Sequence, residues 1–269
     1  MRQPKAYSKG AAPQPTQGPV PHAIRSIVLD QVASTNAEAF ALAKAGELGP
    51  LWIMAHRQTQ GRGRSGRRWV SEPGNLHASL LLHLACPPAA VHQLSLLAGV
   101  AVVDAITAAA GRPISALRLK WPNDVLVGEA KCAGILPESH AGAAASKPLA
   151  VIGVGINLAW QPQGLGRAVT HLAAHGVVVD PEAMLAHLAA AMQRWLDIWD
   201  WGIGFAAIRE AWCARGGPAG EALSVDTGRE KISGQYLDLA DDGALIMLDS
   251  NGRERRLTYG EVTIGRRAT

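Results

Sequence analysis

Gln58-Thr-Gln-Gly-Arg-Gly-Arg-Ser-Gly-Arg-Arg-Trp69 comes just after Leu51–His56, a compact apolar run of strand type. Glycines let a backbone approach an anion closely and reach positive φ. Arginines add forked donors that match phosphate or carboxylate. A loop carrying both, hung on the end of an apolar strand, is built to meet an anionic ligand. It is not a Walker A loop, because no GxxxxGK[ST] occurs. Gly61, Gly63 and Gly66 do satisfy GxGxxG, but the interleaved arginines and the missing βαβ context speak against a dinucleotide fingerprint. A solvated basic loop or a nucleic-acid contact remains open from this segment alone.

On the N-terminal side, Ile24–Leu29 reads as a strand and Ser34 or Thr35 as the cap of a helix running to Ala45 and stopped by Gly46. On the C-terminal side, Asn75–Leu84 alternates as a strand, and His92–Ala110 is an Ala-rich apolar helix closed by Gly111. Leu117–Lys120 runs into Trp121-Pro-Asn-Asp124. A hairpin-like pair follows, Val125–Val127 and Lys131–Glu138, and then a small-residue loop at 140–148. Leu149–Leu158 is a strand interrupted by glycine, and Pro181–Trp199 an amphipathic helix capped by Asp180. Gly204–Cys213 reads as a further helix. After a Gly/Pro-rich break at 214–220, five short strands alternate with turns, among them the hairpin signals Asp242-Gly243 and Asn251-Gly252.

Composition narrows the class. Of 269 residues, 48% are hydrophobic and 18% charged, a globular profile, and the net charge of +4 is too small to argue for nucleic acid. Cys86, Cys132 and Cys213 are scattered without CxxC spacing, which points to a reducing, cytoplasmic compartment and away from zinc or disulfides. Residues 1–23 read as a disordered Pro/Gln-rich tail. The longest apolar tract, Leu94–Ala110, is too short for a membrane span.

Three further segments carry chemistry. Lys120-Trp-Pro-Asn-Asp124 ends a strand with polar groups beside a lysine, a place to hold an amine or a phosphate, or simply a turn with Trp121 as core. Lys131-Cys-Ala-Gly-Ile-Leu136 puts a lysine at the head of a strand where Gly134 permits close approach. Gly153-Val-Gly-Ile-Asn157 admits a flat ligand, or only a packed helix, against its glycines. Cys132 has apolar neighbours and reads as a small buried hydrophobe.

Together with Ser34-Thr35-Asn36, these ordered motifs resemble those of the biotin–protein ligases, strongly over Val28–Asn157 and weakly on to Ile264. The resemblance implies an α+β fold: a mixed sheet packed against helices on one side, like class II aminoacyl-tRNA synthetases and biotin ligases, followed by a small SH3-like β-barrel. The expected division is a catalytic domain over 24–213, a linker over 214–220 and the β-module over 221–267. The implied reaction has two steps. ATP activates biotin to biotinyl-5′-AMP, and a lysine of the biotin carboxyl carrier domain of acetyl-CoA carboxylase then takes the acyl group and releases AMP. Mg²⁺ would bridge the phosphates, with no side-chain metal site assigned.

The resemblance also implies residue roles. Lys131, Asp124 and Arg64 form the catalytic set: Lys131 at the carboxylate and α-phosphate, Asp124 orienting or deprotonating the incoming amine. Ser34, Thr35, Asn36 and Gln58 line the biotin pocket, with Gly61, Arg62, Arg64 and Lys131 closing on it and Gly134, Gly153 and Gly155 forming its wall. The adenylate falls to Arg62, Gly63, Arg64, Ser65, Gly66, Arg67, Arg68, Trp69, Asn123, Lys131 and Asn157. No DNA-binding module and no membrane partner are expected, and a homodimer is in keeping with the family. A lipoate–protein ligase shares the two-step logic and is the nearest competitor. A nucleic-acid-binding protein is the competitor from another class, and it would need more aromatic platforms than Tyr236 and Tyr259 supply.

Overall fold

The computed structural model describes residues 25–84, 86, 90–140 and 149–265. The expected N-terminal tail, nearly all of the 140–148 loop and the last residues of the C-terminal module lie outside them. In chain order the elements are β1 (Ser26–Val32), α1 (Thr35–Lys44), β2 (Leu51–Gln58), β3 (Leu76–His83), α2 (Gln93–Ala110), β4 (Leu117–Lys120), β5 (Asp124–Val127), β6 (Ala130–His140), β7 (Leu149–Ile156), α3 (Pro181–Trp199) and α4 (Phe205–Cys213). Five strands follow: β8 (Ala222–Asp226), β9 (Lys231–Leu239), β10 (Leu245–Asp249), β11 (Glu254–Leu257) and β12 (Glu261–Ile264).

The first seven strands make one mixed sheet in the order β1-β2-β3-β7-β6-β5-β4, with β1 and β2 parallel and every other pair antiparallel. Strand alternation sorts its residues onto two faces. Trp52, Met54, Ala78, Leu80, Ile152, Val154 and Ile156 turn to one face and pack under α2, α3 and α4. α2 is apolar nearly all round because it is covered on nearly all sides, as a core helix must be. By length and hydropathy it would pass for a membrane span, but 67% of it is buried inside the fold. α3 starts as its sequence dictates: the Asp180 carboxylate accepts the Ala183 N–H at 2.7 Å, and Pro181 occupies the first turn.

Two expectations are corrected. Helices do not lie on one side only. α1 packs on the opposite face, where Ala39 meets Leu51, Ile53, Leu81 and Val151. Nor is the C-terminal module a barrel. Its five strands form an open antiparallel sheet, β11-β10-β9-β8-β12, whose outer strands do not pair with each other. The reason lies at β12. The Val262 carbonyl accepts the Lys120 ammonium at 3.1 Å and Glu261 pairs with Arg67, so this edge is engaged by the larger sheet's side of the molecule. The Trp121 indole N–H also donates to the Gly243 carbonyl at 3.2 Å. Leu223, Val225, Tyr236, Leu245 and Met247 of the small sheet join the same apolar core as α2.

Candidate active site

The α1 face of the large sheet carries a cleft, and glycines make room for it. A Cβ on Gly155 would sit 2.5 Å from the Trp69 ring, one on Gly153 2.4 Å from Asn36 Oδ1, and one on Gly134 2.9 Å from Lys131 Nζ. Each of these three strand positions is therefore bare because something else lies where a side chain would be.

One wall is a fixed polar network at the start of α1. The backbone N–H and hydroxyl of Thr35 both donate to Gln58 Oε1, at 2.8 and 3.1 Å, and Gln58 Nε2 donates to Ser71 Oγ at 2.8 Å. The fully buried Ser79 hydroxyl bridges Thr35 Oγ1, at 2.7 Å, and Asn36 Oδ1. Asn36 Nδ2 donates to the Leu136 carbonyl at 3.2 Å and to Glu138 at 2.6 Å. Ser34 stands at the N-cap position and is buried, but its side chain makes no cap bond.

The Arg/Gly segment folds into a tight loop over this wall. Trp69 N donates to the Gly61 carbonyl at 2.9 Å and Gly63 N to Arg67 at 2.7 Å, with Ser65 and Gly66 at the tip in the left-handed region, φ 55° and 70°. Three arginines are tied down: Arg62 to Glu138 at 3.3 Å, Arg64 to Asn123 Oδ1 at 3.2 Å, and Arg67 to Glu261. The Trp69 indole lies on the glycine floor with Lys131 Nζ 5.4 Å from its ring centroid, and its buried N–H has no partner among the described residues.

At the far side stands a charged cluster. Asp124 pairs with Lys131 and, at 2.9 Å, with Lys120, all largely withdrawn from solvent. Burial alone would raise the Asp124 pKa. The two ammonium groups outweigh it and hold the carboxyl below its usual range. Burial lowers the Lys131 ammonium from its ordinary value, against the pull of Asp124. Nearby, burial pushes the Cys132 thiol up to about 12, which fits an inert core residue rather than a nucleophile.

Ser34, Thr35, Asn36, Gln58, Arg62, Gly63, Arg64, Arg67, Arg68, Trp69, Asn123, Asp124, Lys131, Gly134, Gly153 and Gly155 thus border a single cleft. Gly61 is not among its lining. It is buried in the loop's neck, where a Cβ would meet the Trp69 carbonyl at 2.4 Å. Ser65 and Gly66 stay at the exposed tip. Asn157 borders a second, smaller cavity beyond Trp69, shared with Pro162, Leu165 and Arg167. The sequence reading gave no role to Ser71, Ser79, Glu138 or Arg167. Strand alternation places Ser79 two residues from Leu81 on the α1 face. Nothing local marks the other three.

Comparisons with known proteins give the family. The model of the biotin/lipoate A/B protein ligase family matches residues 29–157. The biotin–[acetyl-CoA-carboxylase] ligase of Paracoccus denitrificans is 41% identical over 236 residues, covering 84% of this chain and 95% of that protein. The bifunctional ligase/repressor BirA of Bacillus spizizenii is 33% identical over 233 residues, covering 84% of this chain and 70% of its own length. Among solved structures, the biotin protein ligase from Aquifex aeolicus in complex with biotin and ATP superposes with a TM-score of 0.74 at 27% identity, over 90% of this chain and 99% of that one.

Proposed function

We propose that the cleft is the reaction site of this chain, which belongs to the biotin/lipoate A/B protein ligase family as a biotin–protein ligase. The chain activates biotin with ATP to biotinyl-5′-AMP and transfers biotin to a protein. The observation that carries the residue assignment is the Lys131–Asp124–Lys120 cluster at the edge of a glycine-floored cleft, beside Arg64.

In the first step a biotin carboxylate oxygen attacks the α-phosphorus of ATP, and the bond to the β-phosphate oxygen breaks with release of pyrophosphate. Negative charge grows on the α-phosphate oxygens, where Lys131 and Arg64 supply fixed positive donors. The Thr35–Gln58–Ser79–Asn36 network needs no reorganisation to present polar groups to the head of biotin. Gly134, Gly153 and Gly155 let Lys131, Asn36 and Trp69 close against the sheet, and so shape the wall beside which its ring system lies. The loop from Gly61 to Trp69 screens the mixed anhydride from water. Asn123 supports the nucleotide side through Arg64, and Asn157 lies toward the base.

In the second step a neutral lysine amine attacks the acyl carbonyl, the bond to the phosphate oxygen breaks, AMP leaves with its electron pair, and the amine proton passes to solvent. Asp124, held ionised by two ammonium partners, is a weak base. We therefore assign it the placing of Lys131 and the orienting of the incoming amine, not uptake of its proton. Among the described residues no three His, Cys, Asp or Glu are grouped to hold a metal, and Asp124, the one acid bordering the cleft, is already paired. The residues present do not fit a side-chain Mg²⁺ site, and Mg²⁺ enters with the phosphates of ATP. The acceptor in this reading is the biotin carboxyl carrier domain of a cytoplasmic acetyl-CoA carboxylase.

Mass spectrometry of a carrier domain after incubation with the protein, MgATP and either biotin or lipoate tests the reading. The expected result is a biotin-sized increment on one lysine that needs ATP. A lipoyl increment would overturn the pocket assignment, and no increment from folded protein would overturn the function.

A further inference from the structure

Arg68, Trp69, Lys131 and Arg167 border both the main cleft and the smaller cavity beyond Trp69. Any ligand that spans the two cavities must cross at these four residues. The main cleft holds the glycine floor and the polar wall, while Pro162, Leu165 and Val169 give the smaller cavity apolar sides suited to a flat base. A nucleotide joined to a carboxylic acid therefore has its phosphates at the crossing.

The cations near the crossing are not equivalent. Arg62 is neutralised by Glu138, Arg67 by Glu261, and Lys131 and Lys120 share Asp124. Among the described residues, the Arg68 and Arg167 side chains make no hydrogen bond or ion pair, and both are exposed. Arg167 is also held near the charge centre by backbone. Lys131 N donates to the Ala168 carbonyl at 3.0 Å, and Thr170 N donates to the Lys131 carbonyl at 2.9 Å, so the 168–170 segment runs beside the lysine in parallel register.

Resting on the function proposed above, we propose that Arg167, with Arg68, binds the β- and γ-phosphates of ATP and the pyrophosphate that leaves. The α-phosphate belongs to Lys131, deep in the cleft. When its bond to the β-phosphate oxygen breaks, the electron pair and the growing charge go to pyrophosphate, which departs toward solvent. The two uncommitted guanidinium groups stand on that route, and their forked donors suit a diphosphate. Arg167 comes from the segment after β7, outside the Arg/Gly loop, so its contribution does not depend on the conformation of that loop.

The test compares wild type with Arg167→Ala and Arg167→Lys in three measurements: the KM for MgATP, inhibition by inorganic pyrophosphate, and transfer from pre-formed biotinyl-5′-AMP to a carrier domain. Loss of a charge-assisted contact should weaken MgATP and pyrophosphate about tenfold or more in the alanine variant, with partial recovery in the lysine variant. Inhibition by AMP and transfer from the adenylate should stay within about twofold. Unchanged KM and pyrophosphate inhibition would overturn the proposal, as would an equal loss for AMP and adenylate transfer. If wild type fails to biotinylate any carrier, the parent reading fails by itself. Calorimetry of magnesium pyrophosphate binding to wild type and Arg167→Ala would then still decide for or against Arg167.

Discussion

Ile152 and Gly153 are neighbours in β7, yet they face two different environments. Ile152 lies fully buried beneath the helices in a close-packed apolar core. Gly153 faces the amide of Asn36 across a gap too small for a methyl group. The same alternation runs through the sheet: one face is filled with Leu, Val and Ile, and the other is left bare at Gly134, Gly153 and Gly155. The comparison shows where stability and chemistry are kept apart. A change on the packed face should be felt as stability, and a change at the bare glycines or the groups that line the cleft as activity.

The largest expected break in that division is Lys131→Ala on the bare face. Adenylate formation, read by ATP–pyrophosphate exchange, should fall roughly 10²–10³-fold, with ATP affinity falling much less. A parallel loss of both would mean that Lys131 binds ATP and does not act on the transition state. On the packed face, Ile152→Ala should lower unfolding free energy by about 3 kcal/mol in denaturant titration, while the folded fraction keeps its specific activity.

His77 sharpens the comparison, because it sits opposite Gly155 on the bare face and is only 1% exposed. Burial pulls its pKa from 6.5 to about 4. The unfolded chain therefore takes up a proton first as pH falls, and stability drops between about 6.5 and about 4 by about 3 kcal/mol before levelling. His77→Phe should remove that acid limb in pH-dependent unfolding. An identical limb in the variant would place the titrating group elsewhere. The smallest effect belongs to Gly155→Ala. Its methyl group would displace the Trp69 ring, so activity should drop about tenfold while stability stays within about 1 kcal/mol.

The local elements were readable because each had a local cause. Asp180-Pro181 starts α3, and Asp242-Gly243 turns β9 into β10. The face taken by α1 was not readable, since its short helix offers no strong apolar stripe of the kind that α3 carries. Closure of the C-terminal sheet is illegible in the sequence for a similar reason. Hairpin signals fix neighbouring strands, but whether β11 meets β12 depends on what else claims the β12 edge, and Lys120 and Arg67 claim it. In the site, Thr35, Gln58, Asp124 and Lys131 border one cleft. Glu138 acts through partners distant in sequence, reaching Asn36 and Arg62 from 102 and 76 residues away, and no short pattern announces such pairings.

The contact of β12 with Arg67 and Lys120 also sets an order in time. A chain made from its N-terminus has the glycine floor, the polar wall and the Arg/Gly loop well before Glu261 and Val262 emerge. Until then Arg67 lacks its acidic partner and Lys120 its carbonyl. The site is thus finished by the final strand of the described fold, and a nascent chain holds a pocket whose loop still lacks one of its three arginine ties.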